Sequence, residues 1–308
     1  MTGRFAPSPT GDLHLGNLRT AAVAWLSARA AGQRFVVRVE DLDRVQSSQE
    51  HERAQLADLA AIGLDWDGEV LRQGERFGLY EAAIDRLRDV GLVYECYCSR
   101  REIRLEIEAA PSAPHLPPGS YPGTCRDLDD GARAERLAAG RPPALRLRTD
   151  GQRFEFVDGI AGRHEGGVDD VVLRRNDGAP AYNLAVVVDD AAQGVDEVVR
   201  GDDLISSTPR QLLLQQLLDE PTPAYLHVPL VLGPTGERLA KRDGAVTLRE
   251  LRAAGVPVAD VVGWIGRSLD LAGPDEAITL DRLVERFDPG LVPRTPCPMP
   301  DLARPRGR

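Results

Sequence analysis

The stretch that decides the fold is residues 4–17, "RFAPSPTGDLHLGN". It begins as a short strand and then breaks at Pro7 and Pro9, which exclude regular structure from its middle. The residues that follow, 18–31, are rich in Ala and Leu and predict a helix. His14 is therefore expected at the N-terminal mouth of that helix. There it is either a functional group or only a capping or packed residue.

Strands and helices alternate on both sides of a middle stretch of different character. The predicted elements are a strand at 34–41, a helix at 51–64, an apolar segment with a Gly break and a strand at 182–204, a helix at 206–218 and a strand at 225–233. Ser207 or Thr208 is the expected N-cap of the last helix, and short strands are expected at 144–149 and 154–159. This alternation predicts an α/β fold with a parallel sheet that is split by an insertion.

Composition limits the class of protein and its partners. The chain of 308 residues is 42% apolar and 28% charged, as in ordinary globular proteins. It has no apolar run of transmembrane length, and its N-terminus lacks the basic residues followed by an apolar segment that mark a secretory signal peptide. We therefore expect a cytoplasmic protein with no membrane contact.

Charge argues against non-specific binding of nucleic acid. The net charge is −10, so a nucleic-acid partner would need a local basic face. Two clusters could provide one, and each could also be a solvated charge run: Arg100, Arg101 and Arg104, and Arg304, Arg306 and Arg308.

Three of the four cysteines lie within 30 residues of each other. One residue separates Cys96 from Cys98, and 26 residues separate Cys98 from Cys125. The second interval contains a Pro-rich loop, which would need a cross-link to be ordered. In a reducing compartment this pattern favours zinc over a disulfide, with three buried free thiols as the alternative. Tetrahedral zinc needs a fourth donor, for which His115 is the conventional choice and Tyr121 the less usual one.

Two further stretches carry residues suited to phosphate chemistry. "VEDLD" at 39–43 could bind a metal or merely end a strand, and "GERLAKRDGA" at 236–245 could neutralise phosphate or be a solvated turn. Together with His14 and Asn17 at a helix N-terminus, Lys241 in this loop predicts a phosphate-handling site.

These motifs resemble those of class I aminoacyl-tRNA synthetases. "HLGN" at 14–17 is similar to the HIGH signature, and "RLAKR" at 238–242 is similar to the KMSKS loop, although Arg238 and Ala240 depart from the pattern. The stretches "RFAPSPTGDLHLGNLRTA", "VRVEDLD", "AYNLAVVVDD" and "VVRGDDL" resemble the glutamyl-specific branch. After Lys241 only 67 residues remain, which we expect to leave no room for an anticodon-binding domain.

The nearest resemblance is therefore to the truncated paralogues of that branch, the glutamyl-queuosine tRNA(Asp) synthetases. It implies a ligase that activates glutamate with ATP to glutamyl-adenylate, without needing tRNA, and transfers glutamate to queuosine in the anticodon of tRNA(Asp). Magnesium is expected with ATP, and the chain is expected to act as a monomer. Three rivals remain open: a minimal glutamyl-tRNA synthetase, an inactive synthetase-like binding module, and a glutamate-adenylating enzyme with another acceptor.

The resemblance also implies a Rossmann-like class I catalytic fold. Its expected parts are a first half of the nucleotide-binding fold at 1–79, an insertion with a zinc module at 80–180, a second half at 181–245, and a helical stem-contact-like remnant with a Pro-rich tail at 246–308.

The resemblance finally assigns roles to residues. The implied catalytic residues are His14, Asn17 and Lys241. The implied ATP-binding residues are His14, Gly16, Asn17 and Lys241. The implied glutamate-binding residues are Arg4, Ser8, Glu40, Tyr182 and Arg200. The implied ligands of one structural zinc ion are Cys96, Cys98, Tyr121 and Cys125. Arg200 could instead pair with Asp202 or Asp203, and Tyr182 could be a core aromatic residue.

Overall fold

The computed structural model describes residues 2–109, 120–233, 236, 246–300 and 302. The strands are β1 (Thr2–Phe5), β2 (Arg34–Val39), β3 (Leu71–Arg72), β4 (Val93–Cys96), β5 (Ala144–Leu147), β6 (Arg153–Asp158), β7 (Gly162–Gly167), β8 (Val172–Arg174), β9 (Glu197–Gly201), β10 (Ala224–Val228), β11 (Val231–Leu232) and β12 (Cys297–Pro298). The helices are α1 (Leu15–Ala30), α2 (Gln49–Ala61), α3 (Phe77–Asp89), α4 (Arg100–Ala109), α5 (Asp130–Ala138), α6 (Tyr182–Ala192), α7 (Thr208–Leu218), α8 (Leu248–Ala253), α9 (Val258–Ser268) and α10 (Leu280–Val284).

A parallel sheet with the order β10-β9-β1-β2-β3 forms the centre of the molecule. Its strands come from two separate stretches of chain, 2–72 and 197–228. The predicted parallel α/β fold is thus confirmed. From β1 the strands are added in opposite directions, and in such sheets ligands bind in the crevice at the carboxyl ends of the strands where the order reverses.

Helix α1 packs against the centre of this sheet and begins earlier than its composition predicted. His14 is its N-cap: the Nδ1 atom accepts a hydrogen bond from the Asn17 amide at 3.1 Å, and the His14 amide donates to Asn17 Oδ1 at 3.2 Å. This reciprocal capping box stabilises the first turn, so the helix begins at Leu15 rather than at residue 18. The predicted place of His14 at the mouth of the helix is confirmed.

The other predicted elements of the sheet region are present with shifted ends. The strand at 34–41 is β2, and the helix at 51–64 is α2, which ends before Gly63 because that residue has a left-handed φ of +97°. Helix α7 begins at Thr208 with Ser207 at the N-cap position, one of the two predicted residues. The Ser207 side chain makes no capping hydrogen bond, and the Thr208 hydroxyl accepts from Arg200.

Between β3 and β9 the chain forms smaller antiparallel sheets. Strands β4, β5 and β8 make one, and β6 and β7 form a hairpin, so the strands predicted at 144–149 and 154–159 are β5 and β6. The hairpin reaches the central sheet, because the Gly159 amide donates to Tyr225 O at 2.9 Å. The domain boundaries assigned from the sequence stay a prediction.

The last described part of the chain is helical. Helices α8, α9 and α10 lie here, and β12 pairs in parallel with β11. Within the described ranges, no helix is both long and apolar enough to cross a membrane.

Candidate active site and cysteine cluster

A cavity of about 610 Å³ lies at the carboxyl ends of β1 and β9. Eight of the residues that the sequence assigned to ATP or glutamate line it: Arg4, Ser8, His14, Gly16, Asn17, Glu40, Tyr182 and Arg200. They come from three strand ends, the loop after β1 and the first turns of α1 and α6. The structure thus brings together residues up to 196 positions apart in the chain.

One wall of the cavity is a set of buried ion pairs. Arg4 is 3% exposed, and its Nε lies 3.4 Å from Asp190 Oδ1 while Nη1 donates to Val199 O at 3.0 Å. Arg38, fully buried on β2, places Nη1 2.6 Å from the same Asp190 oxygen and Nη2 3.3 Å from Glu40 Oε1. Burial opposes the charged form of Asp190, but Arg38 and Arg4 outweigh it and hold its pKa below the ordinary value.

Glu40 and Tyr182 share this wall and have raised pKa values. Burial raises the pKa of Glu40, and the guanidinium groups of Arg38 and Arg4 only partly oppose the shift. Burial, and then the nearby Glu40 carboxylate, raise the pKa of the Tyr182 hydroxyl. Tyr182 therefore stays protonated at neutral pH and can donate a hydrogen bond, and an ammonium group bound beside Glu40 would favour the carboxylate form.

At the end of β9, next to β1 in the sheet, Arg200 is held by neutral groups. It is 5% exposed, and its Nε donates to His227 Nε2 at 2.9 Å, Nη1 to Gln211 Oε1 at 2.7 Å and Nη2 to Thr208 Oγ1 at 2.9 Å. Within the part of the chain that the structure describes, no ion pair joins Arg200 to a carboxylate, so neither Asp202 nor Asp203 pairs with it.

The mouth of α1 forms a third side of the cavity. The Asn17 amide is occupied by His14 Nδ1, and the Leu15 amide donates to Val246 O at 3.1 Å. A Cβ on Gly16 would lie 3.0 Å from the Nδ1 and Cε1 atoms of His14, so a glycine here lets the imidazole lie against the helix. The backbone of His14 also forms an isolated antiparallel β-bridge with the backbone of Thr247. The roles of His14, Gly16 and Asn17 toward ATP stay predictions.

The KMSKS-like loop with Lys241, Arg238 and Ala240 lies outside the described residues, as do His115 and the arginines at 304, 306 and 308. The other basic cluster is described: Arg100, Arg101 and Arg104 are exposed on α4.

Sequence reasoning missed several buried polar residues around the cavity. They are Arg38, Gln55, Asp158, Asp190 and His227. A charged residue within the apolar strand "VVRV" was a usable signal for Arg38, because an unpaired charge is not tolerated in a buried strand. Gln55 holds the loop after β1, since its amide donates to the carbonyl oxygens of Ser8 at 3.0 Å and Gly11 at 2.7 Å.

A second cluster gathers the three predicted cysteines. The Sγ atoms of Cys96, Cys98 and Cys125 all lie within 4.8 Å of one another. The Tyr121 hydroxyl lies 3.4 Å from Cys96 Sγ and 3.8 Å from Cys98 Sγ, and it accepts from the Cys125 amide at 2.9 Å. Sulfur atoms around tetrahedral zinc are about 3.8 Å apart when each Zn–S bond is about 2.3 Å. These three thiols could therefore hold one metal ion.

A buried cation accompanies the cluster. The Arg146 guanidinium lies 3.7 Å from the centre of the Tyr121 ring, and Nη1 donates to Asp170 O. A hydrogen bond from Cys98 is the main cause of a lowered Cys96 pKa, and Tyr121 and Arg146 lower it further. Burial raises the pKa of Tyr121. The hydrogen bond from Cys98 to Cys96 raises the pKa of Cys98, so the pair favours one thiolate, whereas a metal ion held by the three sulfurs would need each of them deprotonated.

Comparison with known proteins identifies the family. Residues 1–290 match the family described as "tRNA synthetases class I (E and Q), catalytic domain". The chain is 62% identical over 295 residues to the glutamyl-Q tRNA(Asp) synthetase of Nocardia farcinica, covering 96% of this chain and 91% of the relative. This chain belongs to the glutamyl-Q tRNA(Asp) synthetase family. The predicted class I synthetase catalytic fold is therefore confirmed.

This chain also shares most of its length with longer relatives. The glutamate–tRNA ligase of Oleidesulfovibrio alaskensis is 43% identical over 286 residues, which cover 92% of this chain and 60% of the ligase. A solved glutamate tRNA ligase from Elizabethkingia meningosepticum, in complex with its amino acid, superposes with a TM-score of 0.81 at 26% identity. That match covers 97% of this chain and 66% of the ligase, so the chain spans about two thirds of such enzymes.

Proposed function

We propose that this chain activates glutamate with ATP and transfers the glutamyl group to the queuosine base in the anticodon of tRNA(Asp). The main support for the proposal is that eight residues assigned to glutamate or ATP binding line one cavity. The acceptor rests on the names of four relatives that are 46% to 62% identical and are glutamyl-Q tRNA(Asp) synthetases. ATP and tRNA are intracellular substrates, and the cytoplasm is the proposed compartment.

Activation joins glutamate to the α-phosphate. A glutamate α-carboxylate oxygen attacks the α-phosphorus, the bond to the β-phosphate oxygen breaks, and pyrophosphate leaves. Negative charge grows on the phosphate oxygens, so groups that donate hydrogen bonds or carry positive charge lower the barrier. We assign this role to His14, Gly16 and Asn17 at the start of α1, together with Lys241. Magnesium, bound with ATP, would neutralise part of the triphosphate charge.

Glutamate offers two carboxylates and one ammonium group. We assign carboxylate binding to Arg4 and Arg200, hydroxyl donation to Ser8 and Tyr182, and the ammonium group to Glu40. Glutamine would place a neutral amide where a carboxylate belongs and leave a buried guanidinium uncompensated, which is costly. Preference for glutamate over glutamine follows from this electrostatic difference.

We further propose that the cysteine cluster holds one structural zinc ion, with Cys96, Cys98, Cys125 and Tyr121 as ligands. The three sulfur atoms, all within 4.8 Å of one another, and the Tyr121 hydroxyl beside them support this. When bound, zinc would cross-link β4 to the end of the Pro-rich loop. Metal content of purified Tyr121→Phe and His115→Ala tests the fourth ligand. Zinc lost only from Tyr121→Phe is expected, and zinc lost only from His115→Ala would overturn the choice.

The proposed reaction is tested with labelled glutamate, ATP, magnesium and two tRNA pools. One pool comes from cells that make queuosine and the other from cells that cannot. After nuclease digestion, mass spectrometry locates the label. Glutamate on an anticodon nucleoside, in the first pool only, is the expected result.

The main competing function is that of a minimal glutamate–tRNA ligase, because ligases are 43% to 45% identical to this chain. Label on the 3′-terminal adenosine in both pools would establish that function instead. Glutamate-dependent pyrophosphate exchange with no labelled tRNA would leave activation standing and require another acceptor.

A further inference from the structure

Arg200 is the cavity end of a hydrogen-bonded row of side chains from three strands. His227 on β10 lies directly beside Arg200 on β9 in the parallel register, and its Nε2 atom is 2.9 Å from Arg200 Nε. The Nδ1 atom of His227 is 2.6 Å from Oδ2 of Asp158, the last residue of β6. His227 is fully buried, and Asp158 is 2% exposed. We call Asp158, His227 and Arg200 the relay.

The donors and acceptors of the relay can be assigned. An arginine Nε always carries a proton and donates, so His227 Nε2 must accept. The proton of the neutral imidazole then lies on Nδ1 and is donated to Asp158. Burial lowers the pKa of His227, although Asp158 opposes the shift, which agrees with a neutral ring.

Asp158 is itself held in place by the backbone. Its Oδ1 accepts from the amides of Ile160 at 3.0 Å, Ala161 at 2.7 Å and His227 at 3.0 Å. The carboxylate is therefore fixed by the turn of the β6–β7 hairpin, and it fixes the imidazole in turn.

The relay leaves the charge of Arg200 available. A carboxylate in direct contact with Arg200 would neutralise it and compete with a carboxylate of the substrate. An imidazole between Arg200 and Asp158 holds the guanidinium without that competition. Arg4 differs, because its Nε lies 3.4 Å from the Asp190 carboxylate.

We propose that Asp158 and His227 are positioning residues for glutamate, which hold the Arg200 guanidinium in the cavity while its charge stays available to a substrate carboxylate. This inference rests on the proposed function. Neither residue touches the substrate, and both act through Arg200.

Two substitutions interrupt the relay in different ways. In Asp158→Asn, Oδ1 can keep the backbone bonds, but the new amide donates to His227 Nδ1 and moves the imidazole proton to Nε2, where it faces the Arg200 N–H. In His227→Leu the acceptor for Arg200 is lost. His227→Gln places an amide oxygen near the position of Nε2 and is the conservative rescue.

The measurement is glutamate-dependent ATP–pyrophosphate exchange. For Asp158→Asn and His227→Leu we expect the KM for glutamate to rise about tenfold or more, the effect of disturbing one hydrogen bond to a charged group, with the KM for ATP nearly unchanged. His227→Gln should stay close to wild type. Because both substitutions act on the same bond, the double variant should be no worse than the more severe single one.

A matched control removes another buried hydrogen bond from the same strand. Tyr225→Phe keeps the ring and loses the bond between its hydroxyl and Gln215 Nε2 at 2.9 Å. It should lower the melting temperature without changing the KM for glutamate. A general loss of stability would change the KM for glutamate and the KM for ATP together, or neither of them. The ratio of the two KM values therefore distinguishes a positioning role from a purely structural one.

The outcomes separate the relay from the proposed function. If Arg200→Ala raises the KM for glutamate but Asp158→Asn and His227→Leu, both folded, do not, the relay is wrong and the glutamate site stands. If wild type shows no glutamate-dependent exchange, the proposed function itself fails. If His227→Gln is as impaired as His227→Leu, the acceptor at Nε2 is not what matters, and the relay is overturned.

Discussion

Buried arginines line the cavity from the neighbouring strands β1 and β9, and the charges of Arg4 and Arg200 are balanced in opposite ways. On the β1–β2 side, Arg4 and Arg38 share the carboxylate of Asp190, and Arg38 Nε also lies 3.9 Å from Asp189 Oδ2. We call these four residues the carboxylate cluster. On the β9–β10 side, the side chains that hydrogen-bond to Arg200 in the described part of the chain are neutral: His227, Gln211 and Thr208.

The difference shows how one cavity can combine a stable wall with a charged binding group. Burial opposes the charged form of Arg38, but Asp190, Glu40 and Asp189 outweigh it and raise its pKa. The charge of Arg38 is thus balanced by carboxylates of the protein itself. The charge of Arg200 is not balanced in this way, so Arg38, Asp189 and Asp190 should mainly govern stability and Arg200 should govern recognition of the substrate.

The largest expected effect is on stability, from Asp189→Ala. Asp189 is fully buried and accepts from Arg76 Nε at 2.7 Å, and from Gln73 Nε2 and the Tyr80 hydroxyl at 2.8 Å. Removing it leaves the Gln73 and Tyr80 donors without their acceptor and the Arg76 guanidinium without its carboxylate, so urea unfolding should show a loss of about 3 to 5 kcal/mol.

The control for this variant is an exposed ion pair. Asp127 pairs with Arg148 at 2.8 Å, and its side chain is 81% exposed. Asp127→Ala should cost less than about 1 kcal/mol. Equal losses from the two variants would mean that the carboxylate cluster contributes no more than a surface pair.

The next effect is on recognition. Arg200→Ala should raise the KM for glutamate about 100-fold, as expected for losing charged hydrogen bonds, while the KM for ATP changes little. Arg4→Ala should also affect glutamate far more than ATP, with an added loss of stability because Asp190 keeps only Arg38. Pyrophosphate exchange with each substrate varied in turn measures both constants. Equal effects on glutamate and ATP would contradict the assignment of either arginine.

A smaller effect concerns pH. Because burial lowers the pKa of His227, the unfolded chain binds a proton below pH 6.5 that the folded chain does not. Stability from this group is complete above pH 6.5 and decreases as the pH falls. His227→Gln should remove this dependence, so it should lose less stability than wild type between pH 6.5 and pH 5.5. Urea unfolding of both proteins at the two pH values measures it, and identical pH profiles would argue against a neutral buried imidazole.

The smallest effect is expected from a single neutral partner of Arg200. Thr208→Val removes the hydroxyl that accepts from Nη2, and should raise the KM for glutamate only about threefold to tenfold, the effect of one hydrogen bond. Thr208→Ser keeps the hydroxyl and should behave as wild type. If serine is as impaired as valine, packing rather than the hydrogen bond explains the role of Thr208.

More of the residues that line the site could be predicted from the sequence than of the buried residues that hold them in place. Cys96, Cys98 and Cys125 could be found because their spacing is informative, and His14 because Pro7 and Pro9 precede a helix. The roles of Arg4, Arg200 and Glu40 came from resemblance and not from spacing. The start of α1 was placed late because the capping contribution of a histidine and an asparagine is not visible in composition.

The supporting residues depend on strand register. His227 lies beside Arg200 only because β9 and β10 pair in parallel with that register, and Asp158 reaches it only because the β6–β7 hairpin packs on β10. Neither fact follows from local sequence. The ion pair of Arg38 with Asp190 likewise joins residues 152 positions apart.

The central claim is that Arg200 recognises a carboxylate of glutamate with a charge that the protein leaves uncompensated. Calorimetric titration of wild type and Arg200→Met with glutamate and with glutamine tests it most directly. Wild type should bind glutamate about 100-fold more tightly than glutamine, as expected when a buried charge loses its partner, and Arg200→Met should lose most of this preference. Equal binding of the two amino acids by wild type, or an undiminished preference in Arg200→Met, would contradict the account.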